Sequence, residues 1–453
     1  MGAVRELLRN NARQYGMLMA LVVIAVLFGV LTQGLLLQPA NINNLIMQNG
    51  YILILAIGMM LVIITGHIDL SVGSVAAFVG ATSAVLMTGT GLPPYVVVVL
   101  ALLLGGLIGA WQGFWVAYVR IPAFIVTLAG MLLFRGLTMI LLGGETVAPL
   151  PASFRAIGSG FVPDVVVELP YTIWLLGITF DELHVFALLF GAVASALVVL
   201  GQLLGRRRLR RHGLSVGSRP WFIVKLVVLV AVLNAFTFML AVHNGVPVIG
   251  VVLVVLIVGY SFVMNRMTIG RRVYAVGGNE KAAMLSGVRT KPTTFWVFVN
   301  MGVLSALAGL VFAARLNAAT PRAGNLFELD AIAAAFIGGA SATGGVGTVV
   351  GAVIGAMVMG LMNNGMSIIG LGVDWQQAIK GLVLLVAVAF DIFNKNRVRA
   401  SRTAAAAASD GSGGTGADPV PAAGANGSAA EREPDPPPGT ARTGGTGAVA
   451  GSG

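Results

Sequence analysis

Residues 265–292 read NRMTIGRRVYAVGGNEKAAMLSGVRTKP, a polar, basic segment between two long apolar runs, 246–265 and 294–316. A segment of this kind, joining two stretches long enough to cross a bilayer, projects from a membrane rather than lying in a soluble core. The surrounding chain agrees. It is 57% hydrophobic and 10% charged, with a mean hydropathy of +0.91. Soluble domains carry about 25% charged residues, and a soluble fold of this composition would expose large apolar patches. The apolar runs are continuous rather than alternating, which excludes a transmembrane barrel and predicts an all-α polytopic membrane protein.

Candidate spans fall near 17–37, 45–65, 71–88, 95–117, 123–142, 182–204, 219–241, 246–265, 294–316, 346–366 and 377–393, with a shorter run at 331–342. With the N-terminal segment 1–16 placed inside, twenty of the 28 lysines and arginines fall in inside loops or the inside C-terminal flank. Only Arg155 and Arg322 fall outside. Lys and Arg collect in cytoplasmic loops of membrane proteins. This asymmetry therefore places both termini and the 265–292 loop in the cytoplasm and accounts for the +11 net charge without nucleic acid. The transmembrane region spans 17–399. Residues 400–453, rich in Ala, Gly, Pro, Ser and Thr, are expected to form a disordered cytoplasmic tail. The basic start and apolar first run resemble a signal peptide, but the run is span-length and an uncleaved helix is expected. The run at 331–342 is too short to span alone. A half-helix completed by an extended glycine segment, Gly344–Gly347, is expected at an internal interface or pathway.

The chemistry-bearing residues exclude several functions. There is no cysteine. A phosphate-binding loop places glycine directly before its lysine, and none of the five lysines follows a glycine. No ATP site is expected here, and ATP hydrolysis, if used, belongs to another subunit. His67, His184, His212 and His243 lie in different loops, so neither a metal site nor a catalytic cluster is expected. The chain reads as a transport subunit, not an enzyme. No bound cofactor is expected. His67 and Asp69, in ITGHIDLSVG, and Asp374 are candidates for a polar translocation path. So are Asn363 and Asn364, whose carboxamides suit hydrogen bonds to a hydroxylated solute. Interhelical hydrogen bonds are the alternative for the asparagines, and helix capping for Asp69, Glu328 and Asp330. Trp111, Trp115 and Tyr118 read as interfacial anchors. Gly347, Gly351 and Gly355, four apart, form a small-residue face for close helix packing. Within the island, GNEKAAMLSGV has helix-forming character. Ala282, Ala283 and Leu285 make a small apolar face suited to a groove on a soluble partner.

Four segments carry a family resemblance: GHIDLSVGSVAAFVGA (66–81), IPAFIVTLAGMLLFRGLTMILLGG (121–144), GRRVYAVGGNEKAAMLSGV (270–288) and ELDAIAAAFIGGASATGGVGTVVGAVIGAMVMGLMNNGMS (328–367). In these the chain resembles the permease subunit of bacterial ABC importers for monosaccharides, in the ribose/xylose/galactose branch, and its closing segment resembles xylose and multiple-sugar permeases. The resemblance implies a type II importer permease fold with ten to twelve transmembrane helices. It implies a paired permease, two cytoplasmic ATPase subunits and an extracytoplasmic sugar-binding protein. It implies a coupling helix in the 265–292 loop, with Gly270, Arg271, Gly278, Asn279, Glu280, Ala282, Ala283 and Gly287 at the ATPase contact. A stand-alone secondary transporter or facilitator is the alternative, with the short run at 331–342 as its broken helix.

Overall fold

A computed structural model describes residues 12–389, apart from 174–177 and 214–217. The expected cytoplasmic tail, 400–453, lies outside the described residues. Within them the chain is overwhelmingly helical, and nine helices are long and apolar enough to cross a membrane.

The centre is α2 (Pro39–Ile64), which follows α1 (Ala12–Leu31) and opens with proline in its first turn. Proline is tolerated there because the first helical N–H groups have no partner to lose. Its second half is apolar on every side, and Ile52, Ile54, Leu55, Ile57, Met59 and Met60 are fully buried. A helix greasy all round must be enclosed by other helices. It is enclosed by α9 (Val248–Arg266), α12 (Thr290–Leu316), α13 (Phe327–Ile337) and α14 (Val349–Ile368). Around these stand α3 (Val72–Gly89), α4 (Pro94–Phe114), α5 (Ala123–Leu142), α7 (Val185–Arg211) and α8 (Arg219–Ala241). Large apolar residues of this outer ring, such as Leu107, Ile140, Leu197 and Val232, are more than 60% exposed. Hydrocarbon is the solvent that makes such exposure stable.

Glycine sets the closest approaches. Gly302 of α12 lies on the backbone of Gly105 and Gly109 of α4, and Gly309 of α12 lies on Ala76 of α3. Any side chain there would overlap a main-chain atom. Gly351 and Gly355 likewise lie on the α13 backbone at Gly338 and Ala334. Gly347, by contrast, precedes α14, whose N-cap is Thr348, and packs beside Ile64. It therefore belongs to the α13–α14 link rather than to a helix face.

The short run departs from expectation in its completion. The half-helix α13 begins at Phe327, after a non-helical stretch, 317–326. The expected extended glycines form a turn instead. Gly344 and Gly345 have φ of +78° and +74°, a left-handed backbone that glycine adopts without a Cβ penalty. The first span also ends early, at Leu31, before a 3-10 turn at Leu35–Leu37.

The expected loop between α5 and α7 contains a helix, α6 (Ala152–Ser159), and a hairpin, β1 (Val166–Ile173) with β2 (Ile178–His184). The strands pair antiparallel from Val166–His184 to Ile173–Ile178. Pro170, which has no N–H to donate, falls in the register shift between Glu168 and Tyr171. Asp164 joins hairpin and helix: its Oδ1 accepts the Phe186 N–H at 2.7 Å, and its Oδ2 lies 3.8 Å from Nδ1 of His184. The α7 helix accordingly starts at Val185, three residues later than expected.

Candidate functional site

The island forms an elbow built from two short helices. After Arg266 the chain extends at Met267 and re-enters a helix, α10 (Thr268–Gly278). Gly270 sits against the Met264 carbonyl, so the turn admits no side chain there. Gly270, Val273 and Val276 are buried, one face of an amphipathic helix, while Arg271 and Arg272 point outward. Asn279 is the N-cap of α11 (Glu280–Leu285), its Oδ1 accepting the Ala282 N–H at 3.0 Å. Gly287, at φ +82°, ends the helix in a left-handed turn, and the Val288 N–H returns to the Ala283 carbonyl at 3.0 Å. Both ends of α11 are thus fixed by its own sequence.

Its faces are sorted. Ala283 is 6% exposed and points into the protein, so it packs inward rather than joining a docking face. Glu280, Lys281 and Ala282 are exposed, Met284 is 55% exposed and Leu285 is 86% exposed. Met284 was not among the expected contacts. Its position beside Leu285 on a capped helix was the signal that would have found it.

The underside of the elbow rests on three other elements. The last α2 carbonyl, Ile64, accepts the Gly345 N–H at 2.8 Å. The Tyr274 hydroxyl donates to the Gly347 carbonyl at 2.8 Å. Gly277 lies so close to both strands of this junction that a Cβ would overlap the Ile64 carbonyl oxygen and fall 2.7 Å from the Gly345 nitrogen. The His67 ring lies 6.0 Å from that of Phe298 on α12. The end of α2, the foot of α12 and the α13–α14 link therefore all meet α10–α11. A displacement of the elbow must move these elements or break backbone contacts.

Burial lowers the pKa of His67 below its usual value, and the nearby Glu280 charge partly opposes this. The unfolded chain then binds more protons than the folded one as pH falls through the ordinary histidine range near 6.5, so stability declines over that window. His67→Gln is expected to flatten this decline in thermal-unfolding midpoints measured between pH 7.5 and 5.5, a window bracketing that range.

The five path candidates do not converge. Asp69 is buried, accepts the Ser71 N–H at 2.8 Å and its hydroxyl at 2.6 Å, and stands just before α3. Gln112 of α4 completes this node by donating to the Ser71 hydroxyl at 2.7 Å. That arrangement is a buried fastening rather than an open lining. Asn364 cross-links α14 to α2: its Oδ1 accepts from Asn41 Nδ2 at 2.8 Å, and its Nδ2 donates to Gln48 Oε1 at 3.4 Å. Asn363 stands beside Asp330, its Oδ1 buried without a hydrogen-bond partner. Asp374 is exposed in the helical stretch 373–389. Sequence reasoning missed the partner of Asp330, whose carboxylate pairs with Lys380 at 3.1 Å. Glu328 and Asp330 do lie in the first turn of α13, but pairing across helices takes Asp330 beyond a capping role. Among the described residues no group of three or more His, Asp or Glu side chains is arranged to hold a metal ion. Trp111, Trp115 and Tyr118 are all at least 36% exposed at one end of α4 and its π-helical continuation.

Comparison with known proteins matches this architecture. The family described as "Branched-chain amino acid transport system / permease component" matches residues 41–388. The xylose transport system permease protein XylH of Escherichia coli K12 is 38% identical over 387 residues, covering 85% of this chain and 93% of that protein. XylH of Haemophilus influenzae is 39% identical over 388 residues, covering 86% and 98%. The ribose import permease protein RbsC of H. influenzae is 34% identical over 355 residues, covering 78% and 84%. No solved structure matches. With its enclosed central helix, its ring of lipid-facing helices and these near-full-length relatives, the chain belongs to this family of transport-system permeases and is a multi-pass membrane protein.

Proposed function

We propose that the protein is the transmembrane subunit of an ATP-driven, binding-protein-dependent importer that carries a monosaccharide, D-xylose or a related pentose or hexose, across the cytoplasmic membrane. The observation that carries this reading is the elbow: an ordered two-helix projection with Met284 and Leu285 bare on its outer face. An apolar knob on a capped helix, set among Arg271, Arg272 and Lys281, fits a groove on a soluble partner. The lack of any Gly-Lys pair in the sequence leaves ATP hydrolysis to that partner. The charge asymmetry of the loops supports a cytoplasmic elbow and cytoplasmic termini. The partners are two cytoplasmic ATPase subunits, a second permease and an extracytoplasmic sugar-binding protein, and this chain itself holds no cofactor. A pentose or hexose is supported by the names of the xylose and ribose relatives over most of their length. The family description, which mentions branched-chain amino acids, is broader.

Transport proceeds by alternating access. ATP-driven closure of the partner subunits moves α11, and the Gly277–Ile64–Gly345 junction passes the movement to α2, α13 and α14. The test is reconstitution in proteoliposomes with the ATPase and binding protein, followed by labelled-sugar uptake. Uptake is expected to require all components, and uptake by the permease alone would overturn the reading. Leu285→Asp is expected to lower uptake and ATPase co-purification about tenfold or more, since apolar contacts of this size are worth roughly 1.5–3 kcal/mol. Membrane insertion and the unfolding temperature should remain unchanged.

A further inference from the structure

The chain leaves helical geometry at 317–326, between α12 and α13. A cavity of about 240 Å³ adjoins this break, bounded by Met47, Gln48, Tyr51, Phe312, Arg315 and Leu316. Tyr51 lies at the middle of α2, roughly 18 Å along the axis from its first residue. One wall is aromatic: Tyr51 stacks on Phe327 with centroids 4.1 Å apart and meets Phe312 edge-on at 5.4 Å.

Arg315 is unusual here. Its Nε is buried without a hydrogen-bond partner, and no carboxylate pairs with it among the described residues. Arg315 stands in the last turn of α12, and a buried guanidinium nitrogen without a partner is costly to keep unless a ligand supplies one. Gln48 is exposed and supplies an amide beside it. Together they offer fixed donors from the guanidinium, and one group that both donates and accepts, against an aromatic wall. A sugar ring has the complementary make-up, with hydroxyls that donate and accept around its edge and C–H groups on its faces. The volume lies below the roughly 300–1,000 Å³ of drug-sized pockets, which suits one ring rather than two.

We propose that this cavity, with Arg315 and Gln48 as its polar contacts, holds a single uncharged monosaccharide of pentose size during translocation. The inference rests on the importer reading and adds to it a place where the permease itself contacts the solute.

The chain has no cysteine, so Gln48→Cys provides one reactive thiol. The variant is assembled with the ATPase and binding-protein partners, and its rate of modification by a methanethiosulfonate reagent is measured with and without D-xylose. With sugar at ten times its dissociation constant, labelling is expected to slow about tenfold, the factor 1 + [L]/Kd. Labelling at Tyr95→Cys, 75% exposed and away from the cavity, should not change. Adding Arg315→Gln should raise the sugar concentration needed for half-protection about tenfold or more, the worth of a hydrogen bond to a charged group, and Arg315→Lys should restore part of it. Three results would overturn the site. One is pentose uptake with unprotected labelling at Gln48→Cys. Another is protection by D-xylonate but not D-xylose. The third is protection unaltered by Arg315→Gln. A wild-type complex that imports no pentose would instead defeat the importer reading and the site with it.

Discussion

Gly277→Ala is expected to lower uptake sharply while its equivalent elsewhere does nothing. The added Cβ would overlap the Ile64 carbonyl oxygen and crowd the Gly345 nitrogen. Both obstacles are main-chain atoms, so no side-chain rotation relieves them. The Gly345 N–H is already committed to Ile64 at 2.8 Å. Helix α10 must therefore lift off its seat, at a cost of about 1–3 kcal/mol by the usual scale of overpacking. The lift separates α11 from α2 and from the α13–α14 link. Uptake in the assembled complex should fall at least about tenfold, the equivalent of roughly 1.4 kcal/mol, and sugar should no longer stimulate ATP hydrolysis. The control is Gly201→Ala in α7, where a Cβ meets nothing within 4 Å. There the change only favours the helix, and uptake should equal wild type. Undiminished uptake by Gly277→Ala would show that the junction does not carry motion.

Lys380→Met is the second large effect. Lys380 lies 3.1 Å from Asp330, and the two side chains are 23% and 6% exposed. Removing one partner of a buried pair leaves the other charge uncompensated, which typically costs about 3–5 kcal/mol. The Asn363 carboxamide stays beside Asp330, but a carboxamide does not balance a charge. The thermal midpoint in detergent should drop by several degrees, with α13 loosened from the stretch 373–389. Lys380→Met combined with Asp330→Asn removes both charges and should recover most of the loss, because the cost lies in the orphaned carboxylate rather than in the missing attraction. A double variant no more stable than the single one would show that Lys380 acts through packing alone.

The contrast between these residues shows how far the sequence could be read. The island was legible as a projecting element because a polar stretch between two apolar runs has few other places to lie. Asn279 and Gly287, assigned to the ATPase contact from the resemblance, carry the local signals of the two ends of α11, an Asn cap and a following glycine. Ala283 was assigned to the contact surface because two successive alanines look alike in sequence; a six-residue helix turns one outward and the other inward. Asp330 was read as a helix cap because its neighbours in sequence are helical, and its partner Lys380 lies fifty residues away. The hairpin at Val166–His184 escaped notice because its apolar residues run into those of the next span.

By itself the sequence determined the all-α membrane architecture, most of the spans and the family. These follow from transfer free energies that add up residue by residue along a local window, so distant residues are not needed to evaluate them. Only the tertiary structure decided that Gly277, Ile64 and Gly345 form one junction, that Asp330 meets Lys380, and that an unpaired Arg315 faces a cavity beside Gln48 and Tyr51. Such contacts depend on which helices pack together and how they are rotated, and those choices are set by close packing over the whole molecule rather than by any one stretch of it.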